Sequence, residues 1–243
     1  MKLSFVIATA LSLQYQTLAA PIKRNLEVNA FLAKIADYFH VDVAIEDVCN
    51  IITDGESLLA AAFSIDATQN LSGCSDVTLL FARGTCDDGN IGALVGAPFV
   101  DALRTALNGR SLGVQGIDYP ASVDGYLTNE PQGGQLMATT IRNTIDQCPN
   151  TQIILGGYSQ GGMVVHNAAT DAGSDLMSSI SSVVIFGDPF SHQAVDNIDS
   201  SRVLIECHAG DDICNDGDLI LLQHLTYADK AAEAASFVVS KLS

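Results

Sequence analysis

The sequence predicts an α/β fold: a small parallel sheet of five strands with helices on both faces, preceded by a helical extension. Three observations predict it. From residue 77 onward short β-branched runs alternate with amphipathic stretches, the pattern of strands joined by helical crossovers. The chain has 243 residues, 48% of them hydrophobic and 16% charged, which suits one sizeable packed domain. Apolar residues at helical spacing precede the first strand, so two helices are added ahead of the alternation.

Taken in order, the first element is a leader. Lys2 is followed by an apolar run from Leu3 to Leu13 and by the small-residue stretch Thr17–Ala20. A charge, a short apolar segment and an A-x-A-like site form a secretory signal over 1–20, and the run is too short to span a bilayer. Lys23-Arg24 reads as a dibasic processing site, which makes 21–24 a propeptide and starts the mature chain near Asn25. The extension, 25–70, carries Leu26, Phe31, Leu32, Ile35, Tyr38 and Phe39 at helical spacing, then Val48, Ile51 and Ile52. The α/β domain fills 71–243. Its strands are expected at Val77–Phe81, Val114–Tyr119, Gln152–Leu155, Ser182–Phe186 and Arg202–Cys207, and its helices near Ile91–Leu107, Gly134–Gln147, Gly161–Ala172 and Ala228–Leu242. Right-handed crossovers then cover both faces of a parallel sheet.

Charge narrows the partners. The formal charge is −17, and removal of residues 1–24 leaves 8 basic residues against 28 acidic, about −20. Such a surface repels nucleic acid and anionic headgroups, so neutral substrates are expected, with no stable membrane insertion. Six cysteines in an exported chain read as disulfides, although sequence alone allows fifteen complete pairings. Cys207 and Cys214 are close enough to close a small local loop. No CxxC or Cys/His pairing of metal-ligand spacing is present, and the acidic cluster Asp211, Asp212, Asp216 and Asp218 misses the EF-hand spacing. Asn70-Leu71-Ser72 is the one N-x-S/T sequon, just ahead of Cys74.

The chemistry begins at Ile153-Ile154-Leu155, a buried-strand run that leads into Gly157-Tyr158-Ser159-Gln160-Gly161 and then into the helical pattern of Met163-Val164-Val165. Strand, sharp turn and helix are the context that the G-x-S-x-G nucleophile elbow of an α/β-hydrolase requires. The glycines follow from the geometry, because strand and helix backbones nearly collide two residues either side of the serine. The helix N-terminus beneath it offers N–H groups and a positive dipole end to a developing oxyanion. Ser159 is therefore the candidate nucleophile.

An α/β-hydrolase presents its acid and base after the serine, in that order. With His166 set aside in the adjacent helix, the candidate bases are His192, His208 and His224. His224 comes last, after Leu219–Leu222, where a loop returning to the elbow could deliver it. Two aspartates compete to orient it. Asp188 ends a strand run, where open α/β sheets build their sites. Asp211 lies between Cys207 and Cys214, in a loop that a disulfide would hold rigid, which suits a residue that fixes one imidazole tautomer.

Two segments match a known family. Pro149 through Gly161 (PNTQIILGGYSQG) resembles the nucleophile signature of the cutinases, and Cys207-His-Ala-Gly-Asp211-Asp-Ile-Cys214 followed by His224 resembles their second signature. The resemblance covers 74–243 and implies Ser159, Asp211 and His224 as the triad, since the family places its acid inside the second cysteine loop and its base thirteen residues later. Phe81-Ala82-Arg83-Gly84-Thr85 resembles the segment after the first strand. By that resemblance Thr85, through its backbone N–H and hydroxyl, and Gln160, through its backbone N–H, form the oxyanion hole. The pairs Cys74–Cys148 and Cys207–Cys214 carry over, which leaves Cys49 and Cys86 to pair with each other. Asp216 and Gln223 depart from the family, standing where glycine and proline are frequent.

The resemblance implies a secreted, monomeric serine esterase that needs no metal or organic cofactor and acts on cutin and lipid-like esters, with adsorption at interfaces. Acetylxylan esterases share the fold and nucleophile motif and are the enzyme alternative. A non-catalytic surface-binding protein on the same scaffold is the alternative outside enzymes. A Cys49–Cys86 bond would tie the extension to the edge of the oxyanion hole, so part of 26–62 is expected either to form an apolar lid over Ser159 or to pack on the scaffold away from it.

Overall fold

The computed structural model describes residues 21–39 and 42–243. The leader expected over 1–20 lies outside them. The extension supplies α1 (Pro21–Tyr38), β1 (Val43–Ala44), a 3₁₀ turn at Ile45–Asp47 and α2 (Val48–Phe63). The sheet domain follows with β2 (Val77–Ala82), α3 (Ala97–Ala106), β3 (Leu112–Gly116), α4 (Val123–Leu127), α5 (Pro131–Gln147), β4 (Gln152–Tyr158), α6 (Gln160–Met177), β5 (Ile180–Phe186) and β6 (Val203–Glu206). The chain closes with β7 (Leu219–Ile220), α7 (Leu222–Leu225) and α8 (Ala231–Lys241). Helix α1 begins at Pro21, so the expected processing segment 21–24 is part of its first turn.

Five strands form one parallel sheet in the order β3-β2-β4-β5-β6, as expected. Both faces are covered, which is why β2 is buried at every position and why β2, β4 and β5 read as continuous apolar runs. On one face Leu79, Phe81, Ile154 and Phe186 pack with residues of α3, α8 and the extension. On the other Leu80, Leu155 and Ile185 pack with Met137 and Ile141 of α5 and Val164 and Val165 of α6. Strand β3 starts two residues earlier than its apolar run suggested. It is an edge strand whose register is set by pairing Leu112 with Val77, and the chain leaves the sheet after Gly116.

The strand order reverses between β2 and β4, since β3 lies on one side of β2 and β4 on the other. Such a switch opens a crevice beyond the carboxyl ends of the strands. Ser159 directly follows β4, and Thr85 lies three residues beyond β2.

The extension is packed rather than appended. Phe31 of α1 meets Phe63 of α2 edge to face at 5.4 Å, and Ile35, Phe39, Ile52 and Leu59 are buried. The Phe39 ring fills the place where a Cβ at position 55 would stand, so Gly55 is required there. Strand β1 pairs antiparallel with β7, Val43 opposite Ile220 and Ala44 opposite Leu219. Three disulfides, Cys49–Cys86, Cys74–Cys148 and Cys207–Cys214, use all six cysteines. Among the described residues no helix is long and apolar enough to cross a membrane.

Candidate active site

Ser159 sits at the tip of the β4–α6 turn with φ 55° and ψ −120°, outside the helical and extended regions. A strained residue of this kind persists only where its surroundings fix it. Here the Ser159 N–H donates to the Phe186 carbonyl at 2.9 Å, and the Gly162 N–H donates to the Ser159 carbonyl at 2.7 Å. The flanking glycines are a matter of space. A Cβ at Gly157 would meet the Gly161 carbonyl, and one at Gly161 would meet the Ala82 carbonyl of the neighbouring strand.

His224 comes to this serine from α7, with Nε2 2.9 Å from Ser159 Oγ. Its Nδ1 lies 2.8 Å from Asp211 Oδ2. A carboxylate accepts and does not donate, so Nδ1 carries the proton and Nε2 is left to accept from the serine hydroxyl. The imidazole is held on its faces as well. Tyr158 stacks on it at 5.2 Å and donates its hydroxyl to the His224 carbonyl at 2.9 Å, and Gly187 keeps clear the space beside Cε1.

Asp211 is fully buried within the Cys207–Cys214 loop. Its Oδ2 also accepts from the Tyr227 hydroxyl at 2.6 Å, and its Oδ1 accepts from the Ile213 N–H at 3.1 Å. Burial by itself would raise this carboxyl, but the hydrogen bonds from His224, Tyr227 and Ile213 prevail and hold it below its ordinary value. The competing groups go elsewhere. Asp188 bonds His166 Nε2 at 2.9 Å and the Phe190 N–H. His208 stacks on Tyr227 and bonds the Gln223 carbonyl, while His192 is exposed. Asp216, where the resemblance led us to expect glycine, adopts the left-handed conformation that favours glycine, φ 60°.

Thr85 and Gln160 face each other beside the serine, with the Thr85 hydroxyl donating to Gln160 Oε1 at 3.0 Å. Gln160 opens α6, where the first N–H groups have no carbonyl within the helix. Above them the extension closes the site. Ile45, Val48 and Ile52 meet Ile220 and Leu225 around a cavity of about 10 Å³ that borders Ser159, Thr85, Asp87 and His224. Ser159 is 3% exposed and His224 1%. One buried carboxyl fastens α2 to the loop after Thr85. Glu56 accepts from the Asp88 N–H at 2.6 Å and the Ala93 N–H at 3.0 Å. Burial first, and the adjacent Asp87 second, push Glu56 well above the carboxylate range, while burial raises Asp87 to about 6. Tyr158, Tyr227 and Glu56 were not singled out from the sequence. Tyr158 and Tyr227 lie within three residues of Ser159 and His224, the only signal that pointed to them.

The Cutinase family model matches residues 73–242. The chain belongs to the cutinase family of carboxylic ester hydrolases. A cutinase of Hypocrea jecorina is 51% identical over 216 residues, covering 89% of this chain and 87% of its own length. The structure of a Trichoderma reesei cutinase in complex with a phosphonate inhibitor superposes with a TM-score of 0.78 at 50% identity, covering 91% of this chain and 98% of the other. An acetylxylan esterase superposes at 0.58 with 23% identity, over 70% of this chain and all of the other. That likeness extends to the fold alone. As a cutinase-family chain, the protein shares with the Trichoderma reesei cutinase nearly the whole of that enzyme's length, and the match runs well ahead of residue 73 into the extension.

Proposed function

We propose that the chain is a secreted serine esterase that hydrolyses the aliphatic ester bonds of cutin, and short-to-medium acyl esters, through Ser159, His224 and Asp211. The observation that carries this reading is the unbroken hydrogen-bond line Ser159 Oγ–His224 Nε2–Nδ1–Asp211, at 2.9 and 2.8 Å. In the first step His224 Nε2 takes the hydroxyl proton as Ser159 Oγ bonds to the ester carbonyl carbon, whose oxygen becomes an oxyanion facing Thr85 and Gln160. Collapse of that intermediate breaks the C–O bond, and the His224 proton leaves with the alcohol. Water, deprotonated by the same nitrogen, then releases the acid and restores the serine. Asp211 holds the tautomer throughout and stabilises the imidazolium. None of these steps calls on a metal or an organic cofactor.

Export is supported by the leader pattern at 1–20 and by three disulfides. Part of 26–62 acts in this reading as a lid. Ile45, Val48 and Ile52 close over the serine, and their displacement would bare an apolar patch suited to a polymer surface.

The test is turnover of p-nitrophenyl acetate, butyrate and palmitate, with and without detergent, against Ser159→Ala. Butyrate and longer chains should turn over, detergent should raise the rate, and the variant should lose roughly 10⁶ in kcat. Activity confined to acetate would move the reading to a carbohydrate deacetylase. Retention of activity by Ser159→Ala would end it.

A further inference from the structure

Gln160 has a side chain as well as a backbone N–H, and that side chain is fully buried. Its Nε2 donates to the Ser122 carbonyl at 3.0 Å and to Glu130 Oε2 at 2.7 Å. Both amide hydrogens are thereby used, and only Oε1 is left to face Thr85. The reversed amide would press Oε1 against two acceptors, so the orientation is decided by Ser122 and Glu130 together. The Thr85 hydroxyl must then be the donor in its bond to Gln160.

Glu130 is built into this place with some effort. It is 3% exposed and holds a left-handed backbone, φ 44° and ψ 56°, which a residue with a Cβ seldom adopts. Its N–H donates to the Gly125 carbonyl at 2.8 Å, and its own carbonyl accepts from Asn167 Nδ2 at 3.2 Å. Gly125 has no room for a side chain, because Glu130 Oε2 and Gln160 Nε2 occupy the space where its Cβ would stand. Glu130 also caps α5, Oε1 accepting from the Gly133 N–H at 3.0 Å. Capping alone is better served by a short side chain such as aspartate or asparagine. The extra methylene serves the reach to Gln160.

We propose that Glu130 is a positioning residue of the oxyanion hole: its carboxylate fixes the Gln160 amide, whose Oε1 takes the one proton of the Thr85 hydroxyl, and that tie holds the backbone N–H groups of Thr85 and Gln160 in place for the oxyanion. The inference rests on the reading that Thr85 and Gln160 face the oxyanion. Those two residues stand on separate turns, one after β2 and one between β4 and α6. The bond between their side chains ties the turns together, and Glu130 keeps that bond in register. The oxyanion exists only in the transition state, so loss of this order falls on kcat and leaves KM nearly unchanged.

The test is Glu130→Asp, which retains a capping carboxylate for Gly133 but is one methylene too short to hold Gln160 as well. Measured on p-nitrophenyl butyrate, its kcat should fall roughly 10- to 100-fold, short of the 10²–10³ for loss of a whole oxyanion donor. Its KM should stay within about twofold. In a Thr85→Val background, where no hydroxyl remains to tie the two turns, the same change should cost less than about threefold. Should the aspartate variant not fold, Glu130→Gln, which keeps the reach but offers one acceptor in place of two, should show the same dependence on Thr85. An unchanged kcat, or an equal loss in both backgrounds, would reduce Glu130 to a helix cap and overturn the inference. Ser159→Ala run alongside separates the cases, because activity surviving there would overturn the esterase reading instead.

Discussion

Asp211 illustrates how a single carboxylate is made to serve one purpose. Every strong contact it makes comes from a donor, and two of the donors, His224 and Tyr227, converge on the same oxygen. A carboxyl held below its ordinary value stabilises the fold above the unfolded-state pKa, and that contribution is lost as pH falls through the lowered one. Tyr227→Phe removes one of the hydrogen bonds that lower it. The variant should lose about 2 kcal/mol in urea unfolding at pH 7, the scale of a hydrogen bond to a charged group, and the gap to wild type should narrow by pH 3. A gap that is equal at both pH values would show that Tyr227 acts by packing alone. The proposed triad was read from two signatures that stood in order with their spacing intact. Asp188 and Asp211 remained rivals on position alone, since sequence does not reveal that His166 would claim Asp188. Glu130 was invisible for a related reason: its importance lies in a contact thirty residues away.

Among the elements of the extension, α2 is the helix that lines the site. It delivers Val48 and Ile52 over the serine and Glu56 to the backbone beside Asp87. Both carboxyls are raised, so the folded chain binds protons there that the unfolded chain has released. The linked stability is present at low pH and is lost as pH rises through about 6 for Asp87 and through the raised value of Glu56. Hydrogen bonding with Glu56 and from the Gly84 N–H, and then the charges of Arg83 and His224, moderate the rise of Asp87, whereas Glu56 has no cation among the groups that shift it. Glu56→Gln takes one titrating group away. Above the ordinary carboxylate range the stability of the variant should fall less steeply with pH than that of the wild type, by up to about 1.4 kcal/mol per pH unit for one proton. Parallel slopes in urea unfolding would remove the pair from the pH dependence. The helices of the extension were plain from their spacing, and so were the five strands. Strand β1 was not, because a two-residue strand carries no periodicity and exists only through its partner β7. Whether the extension covers the site or packs away from it depended on that pairing and on the loop after Thr85, neither of which has a local signature.

For the whole molecule, the proposed chemistry and the anchorage lie at opposite ends of the sheet. Ser159, Thr85, the loop bearing Asp211 and the short helix α7 bearing His224 gather beyond the carboxyl ends of the strands, whereas Cys74 and Cys148 precede β2 and β4 at their amino ends. That disulfide spans 74 residues of sequence, for which chain entropy gives about 4 kcal/mol of stabilisation. Replacing both cysteines by serine should lower unfolding stability by up to that amount and leave kcat at 25 °C within about twofold. A large loss of kcat in the folded variant would show that the two ends are mechanically coupled. Cys49–Cys86 has another kind of consequence. It encloses the linker between α2 and β2, residues 64–76, in which no residue is buried. A cut there would sever the backbone between extension and sheet without parting them, and the two pieces would travel on as one molecule until a reductant reached the bond.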